Sequence, residues 1–151
     1  MKKSAGLILY RRTKQQLEVL LVHPGGPIWA KRDEGAWSIP KGEISTEEEP
    51  LEAAQREFAE ELGSSVQGAL LALGSVIQKG GKVVQAWAVE GDLDVSSVKS
   101  NTFSMEWPPR SGREQEFPEI DRAAFFSLDE AKCKINPAQI LLLDRLREQV
   151  H

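Results

Sequence analysis

Apolar positions along this chain follow two rhythms, and the rhythm changes mark its elements. Residues 4–11 and 17–23 are short, apolar and rich in β-branched and aromatic types, and they predict two strands joined by a polar turn at 12–16. His-Pro-Gly-Gly-Pro at 23–27 breaks both regular structures, so a loop is expected from there through Trp29, Lys31 and Arg32 to Gly35. Residues 37–40 read as a short strand or extended segment. Every residue from 51 to 62 tolerates a helix, with Pro50 suited to its first turn and Gly63 to its stop. Residues 70–78 and 82–90 predict a strand pair turning at Lys79, Gly80 and Gly81. Residues 98–119, rich in Pro, Arg and Glu, read as one long irregular loop. A strand at 123–128 and helices at 128–132 and 137–150 follow, the last with Ile140, Leu141, Leu143, Leu146 and Val150 for packing on a sheet. The fold class expected is α/β (α+β), a sheet with helices on its faces.

Composition narrows the function. With 151 residues and no repeat or linker, residues 1–151 are read as one domain. A net charge of −4 argues against general binding of nucleic acid or anionic membrane, so no stable nucleic-acid partner is expected. Local carboxylate clusters suit metal binding better. Cys133 is the single cysteine, which rules out an internal disulfide and fits a reducing compartment. The apolar run at 5–10 is too short for a secretory core, and no stretch approaches the ~20 apolar residues of a membrane helix. A soluble, cytoplasmic protein is expected.

The candidate chemistry lies on the helix at 51–62. Leu51, Ala54, Phe58 and Leu62 share one stripe that would face the core, and the small Ala53 leaves room above the neighbouring stripe. Glu57, Glu60 and Glu61, at i, i+3 and i+4, converge on that neighbour. Like charges so placed repel by roughly 0.2–0.5 kcal/mol per pair even when solvated. A solvated acidic face, relieved by Arg56 pairing with Glu52 or Glu60, is one reading. A hard divalent cation is the other, because Mg²⁺ takes a few carboxylates and completes its shell with water and substrate phosphates.

The wider spacing separates the two. Gly42, Glu48, Arg56-Glu57-Phe58, Glu60-Glu61 and Gly63 fit G-x(5)-E-x(7)-R-E-U-x-E-E-x-G-U, where U is apolar. This box resembles the signature of the Nudix hydrolases. Ser64 departs from it where an apolar residue is wanted, and Val66 is the substitute expected for that packing. The resemblance implies an α/β/α sandwich with a mixed central sheet and divalent-metal-dependent hydrolysis of a phosphoanhydride. It implies that Glu57, Glu60 and Glu61 hold Mg²⁺ (Mn²⁺ substituting), that Glu57 also orients or deprotonates water, and that the Gly42 carbonyl joins the metal. It makes Arg56 a partner that fixes the carboxylates, and Glu48 a stabiliser of the loop. A further acidic ligand from a late loop is implied too, with Glu119 ahead of Glu116.

The substrate is less legible. Trp-Ser-Ile-Pro-Lys-Gly at 37–42 resembles the lead-in of Nudix enzymes that cut dinucleoside polyphosphates such as diadenosine tetraphosphate. A tyrosine downstream of the box, which marks one such subgroup, is missing, since Tyr10 is the only tyrosine. The proline that marks ADP-ribose hydrolases is missing as well. Lys41 is a candidate phosphate ligand. Lys31 and Arg110, with Arg32, Lys79, Lys82 and Arg113 behind them, are candidates for further positive charge. Trp29 and Trp107, in predicted loops, are candidates to stack on a base, whereas Trp87 reads as core and Trp37 stays open. His23 and Cys133 read as structural and inert. An NTP or dinucleoside polyphosphate is the expected small-molecule substrate, with ADP-ribose or an NDP-sugar as alternative and a non-catalytic nucleotide-binding module as the rival class. A homodimer paired through edge strands is conceivable on this reading.

Overall fold

The computed structural model describes residues 2–14 and 16–150. Gln15, within the expected first turn, and the terminal Met1 and His151 lie outside the described residues. Among the described residues, eight strands and three α-helices run in the order β1 (Lys3–Arg12), β2 (Leu17–Pro24), β3 (Lys41–Glu43), α1 (Pro50–Leu62), β4 (Leu70–Ile77), β5 (Val83–Glu90), β6 (Thr102–Glu106), β7 (Glu114–Pro118), β8 (Ile120–Ser127), α2 (Leu128–Lys134) and α3 (Ile140–Gln149).

The main sheet has the order β4-β5-β1-β2-β8, with β3 added against the start of β1. β1 and β5 run parallel and the other pairs antiparallel, so the sheet is mixed. β1 explains the layering. Its residues from Ser4 to Tyr10 are all buried, because both faces of this central strand are covered. Ala5, Leu7 and Leu9 pack with Ala53, Ala54, Phe58 and Leu62 of α1 on one face. Ile8 and Tyr10 pack with Ala131 of α2 and Leu142, Leu143 and Leu146 of α3 on the other. The result is an α/β/α sandwich with a mixed sheet.

Helix α1 starts at Pro50 and stops at Gly63, which takes the left-handed conformation at φ 73° and returns its N–H to the Ala59 carbonyl. Its buried stripe differs by one position from the expected one. Ala53 is buried and Leu51 only half-buried, because the helix lies close on β1 where a small side chain fits. Val66 packs on the same core beyond the half-buried Ser64.

Residues 98–119 are not one irregular loop. They fold into the antiparallel hairpin β6–β7, a small second sheet with Phe103 opposite Phe117. The Pro108-Pro109 and Ser-Gly tip masks the hairpin, but Phe103, Met105 and Trp107 alternate with polar residues as a half-buried strand requires. The expected strand at 37–40 is also shifted. Trp37 and Ser38 make only isolated bridges, and regular pairing begins at Lys41. The last strand starts at Ile120, three residues before the expected 123. No helix among the described residues is long and apolar enough to cross a membrane.

Candidate active site

The site forms where α1 passes β3. Arg56 is its organiser. Its Nε and Nη2 donate to the two carboxylate oxygens of Glu48 at 2.7 and 3.0 Å, a bidentate pairing suited to a planar guanidinium. Its Nη1 donates to Glu57 at 2.8 Å and to Glu60 at 3.1 Å, and Nη2 also reaches the Glu43 carbonyl at 3.1 Å. One cation thus spans the β3 loop and two carboxylates of the helix. Of the two expected partners Glu52 and Glu60, Glu60 is the one it takes. Arg56 and Ser45 hold the Glu48 carboxyl well below the usual range, at about 2.

Glu61 has a different environment. Its Oε2 is buried and has no hydrogen-bond partner among the described residues. Burial first, and the neighbouring Glu57 second, push its carboxyl up to about 8, against the pull of Lys41. The Glu57 carboxyl is raised as well, by burial above all, with Arg56 opposing and Glu60 and Glu119 adding to the rise. Lys41 is pushed down to about 8 by burial and by the ammonium of Lys82 beside it. A partly buried cluster of three carboxyls and two lysines is therefore assembled from α1, β3, the β4–β5 turn and the segment before β8.

This set fits a divalent cation on two counts. Glu61 offers a buried, unpartnered oxygen. Gly42 lies so close to Glu57 that a Cβ there would sit 2.0 Å from the carboxyl carbon, so a side chain at 42 would close the site. Among the described residues, no three His, Cys, Asp or Glu side chains are gathered closely enough to hold an ion as they stand. In this arrangement Glu57 and Glu60 both pair with Arg56.

Two clefts meet at this cluster. One, of about 160 Å³, is lined by Pro24, Ser38, Ile39, Lys41, Glu61 and Glu119 among others. The second, of about 300 Å³, is mostly apolar and lined by Ile28, Trp29, Phe103 and Met105, with Pro24, Gly25 and Gly26. Pro24 and Glu119 border both, so the acidic cleft opens into the apolar one. Glu119 is placed there by its neighbours, as its N–H donates to Asn101 and its carbonyl accepts from Gly25.

The residues picked from the sequence thus divide. Glu57, Glu60, Glu61, Gly42, Arg56, Lys41 and Glu119 are brought to one end of the sheet, and Trp29 lines the adjoining cleft. Glu116 sits on β7 opposite Ser104 and lines neither cleft. Lys31 and Arg110 are exposed, Arg110 with φ 63° on the β6–β7 turn, and they also line neither. Trp107 directly follows β6 and lines neither cleft. Trp37 is core, packed edge-on against Phe126 and His23. Ile28, Phe103, Met105 and Lys82 were not singled out for the apolar cleft or for the partnership with Lys41. The period-two alternation of 102–107 was the signal available for Phe103 and Met105.

A hydrolase of nucleotide pyrophosphate bonds is the class that this fold and acidic helix define. A profile of the NUDIX domain matches residues 1–146, and the chain belongs to the Nudix family. Members of this family are nucleotide pyrophosphohydrolases that generally use divalent metals. No curated protein matches significantly by sequence. Among solved structures, an Ap4A hydrolase from C. elegans in a binary complex superposes with a TM-score of 0.69 at 21% identity, covering 99% of this chain and 98% of that one. The NUDIX domain of Shewanella oneidensis NrtR, complexed with ADP ribose, gives 0.65 at 16%, covering 99% and 88%. A MutT protein from Methanosarcina mazei Go1 gives 0.64 at 18%, covering 99% and 96%. At these identities the likeness establishes the fold.

Proposed function

We propose that this chain hydrolyses a phosphoanhydride bond of an NTP or dinucleoside polyphosphate, with a divalent metal held by Glu57, Glu60 and Glu61. Mg²⁺ is the ion we assign, with the Gly42 carbonyl and Glu119 as further ligands. The observation that carries this reading is the junction of the two clefts at Glu119. A buried, unpartnered carboxylate oxygen and Lys41 lie on one side of it and apolar side chains on the other. A molecule with a polyphosphate at one end and a planar base at the other matches both halves. The Ap4A hydrolase likeness and the Trp37-to-Gly42 lead-in support a dinucleoside polyphosphate within that class.

The bound metal would neutralise phosphate oxygens and lower the pKa of water. The chain's own residues do the rest. Glu57, whose carboxylate burial makes more basic, is suited in its ionised form to take the proton from the attacking water. Lys41 and Lys82 offer positive charge to the terminal or leaving phosphate, and their crowding is relieved when an anion sits between them. Trp29, Ile28, Phe103 and Met105 hold the base by stacking and contact. Glu48 and Arg56 keep the β3 loop and α1 in register.

The test is a turnover screen with Mg²⁺ and Mn²⁺ over NTPs, diadenosine polyphosphates, ADP-ribose and NDP-sugars, with products identified by mass. The expected result is metal-dependent cleavage of an NTP or diadenosine polyphosphate, lost in Glu60→Gln. Cleavage confined to ADP-ribose or NDP-sugars would overturn the substrate assignment. Saturable nucleotide binding with no cleavage of any would favour a non-catalytic module.

A further inference from the structure

His23 directly precedes Pro24, which lines the apolar cleft, and is itself fully buried. From its place at a strand end it was read as structural, and its partners give it a more particular role. Its Nδ1 lies 2.8 Å from Asp121 Oδ1, and its Nε2 lies 2.6 Å from the Arg32 carbonyl oxygen. Both ring nitrogens are thus engaged with oxygen atoms of the protein. The edge of the ring packs on Trp37, with centroids 5.2 Å apart.

These contacts join the two walls of the apolar cleft. Arg32 closes a turn by donating its N–H to the Trp29 carbonyl at 3.0 Å, and its guanidinium lies 5.4 Å over the Trp29 ring. A hydrogen bond to the Arg32 carbonyl therefore ties down the turn that presents Ile28 and Trp29, which are 56% and 37% exposed. Asp121 anchors the other end. It lies two residues beyond Glu119, whose carbonyl accepts from Gly25. Gly25 presses on Pro118 so closely that a Cβ would meet its carbonyl oxygen at 1.9 Å.

We infer that His23 is a positioning residue for base recognition, which holds the Ile28–Trp29 wall against the Glu119 side of the cleft. The inference rests on the proposed nucleotide substrate. His23 touches neither substrate nor the carboxylate cluster in this account. It acts through Arg32 and Trp29, so its effect should depend on whether a ligand has a base.

The experiment compares the binding of ATP with that of inorganic tripolyphosphate, a base-free probe, by calorimetry in the presence of Ca²⁺. The proteins are full-length wild type, His23→Gln, Asp121→Asn and Trp29→Ala. His23→Gln should weaken ATP binding by about fivefold to tenfold, the scale of one or two lost hydrogen bonds, and leave tripolyphosphate unchanged. Asp121→Asn keeps the buried ring and alters only its partly exposed partner, so it should fold if His23→Gln does not, and it should show the same pattern at about twofold to threefold. Equal weakening of both ligands, or of neither, in the folded His23 and Asp121 variants would overturn the inference. If Trp29→Ala alone separates ATP from tripolyphosphate, the base wall stands and only the role of His23 falls. If Trp29→Ala does not separate them either, the base-binding reading fails with it.

Discussion

Glu61→Gln should stabilise the metal-free protein while removing its activity. The Glu61 carboxyl titrates at about 8 in the folded chain against an ordinary 4.5, chiefly because it is buried. Between these values the folded state holds a proton that the unfolded state has released, so stability falls as pH rises from about 4.5 to about 8 and is level above. That gap corresponds to at most about 5 kcal/mol at pH 8 and above. Attraction to Lys41 and relaxation around the charge recover part of it, and about 2 kcal/mol is a working figure. For a chain of this size that is ~4–8 °C in Tm. At pH 5 the difference shrinks below about 1 kcal/mol, since the folded carboxyl is neutral there. Thermal unfolding in EDTA at pH 5 and pH 8 measures both. A Gln variant less stable than wild type by the same margin at both pH values would refute the reasoning, because it would mean that Glu61 is a satisfied structural group.

Three further substitutions probe neighbouring parts of the site. Glu57→Gln should lower turnover by ~10²-fold or more, the scale of lost acid–base catalysis; a near-normal rate in a folded variant would remove Glu57 from the mechanism. Gly42→Ala should abolish turnover and metal affinity together, since its Cβ would lie 2.0 Å from the Glu57 carboxyl carbon; steady-state kinetics and Mn²⁺ titration would show whether the two fall together. Ser64→Val should leave activity within about twofold, because Ser64 is half-buried outside the cleft linings and Val66 already packs on the core; a large loss would show that the helix exit matters to the chemistry.

The acidic half of the candidate site was legible in the chain, and most of the apolar half was not, for a physical reason. Glu57, Glu60 and Glu61 converge because a helix fixes residues at i, i+3 and i+4, and Pro50 and Gly63 mark where that helix begins and ends. Glu119 could be placed next to them from its position just before the last strand. The apolar cleft depends on which strand face meets which loop, and no local rule gives that. Phe103 and Met105 sit in a hairpin whose Pro-rich tip reads as irregular, and only their alternation betrays a strand. Trp29 was legible as an aromatic in a loop, while Trp37, a few residues on, is core because its indole N–H finds Asp33 and its ring finds Phe126. At β4, Arg145 and Gln149 of α3 donate to the carbonyls of Leu73, Ser75 and Ala72, contacts that no local sequence pattern gives.

The measurement closest to the central claim is Mn²⁺ binding, followed by calorimetry in wild type and in single Gln variants of Glu57, Glu60 and Glu61, with Glu116→Gln as control. The account predicts a saturable site in wild type that each of the three box variants weakens at least tenfold and the control leaves intact. Equal binding in all five proteins, at the level of a generic acidic surface, would contradict it.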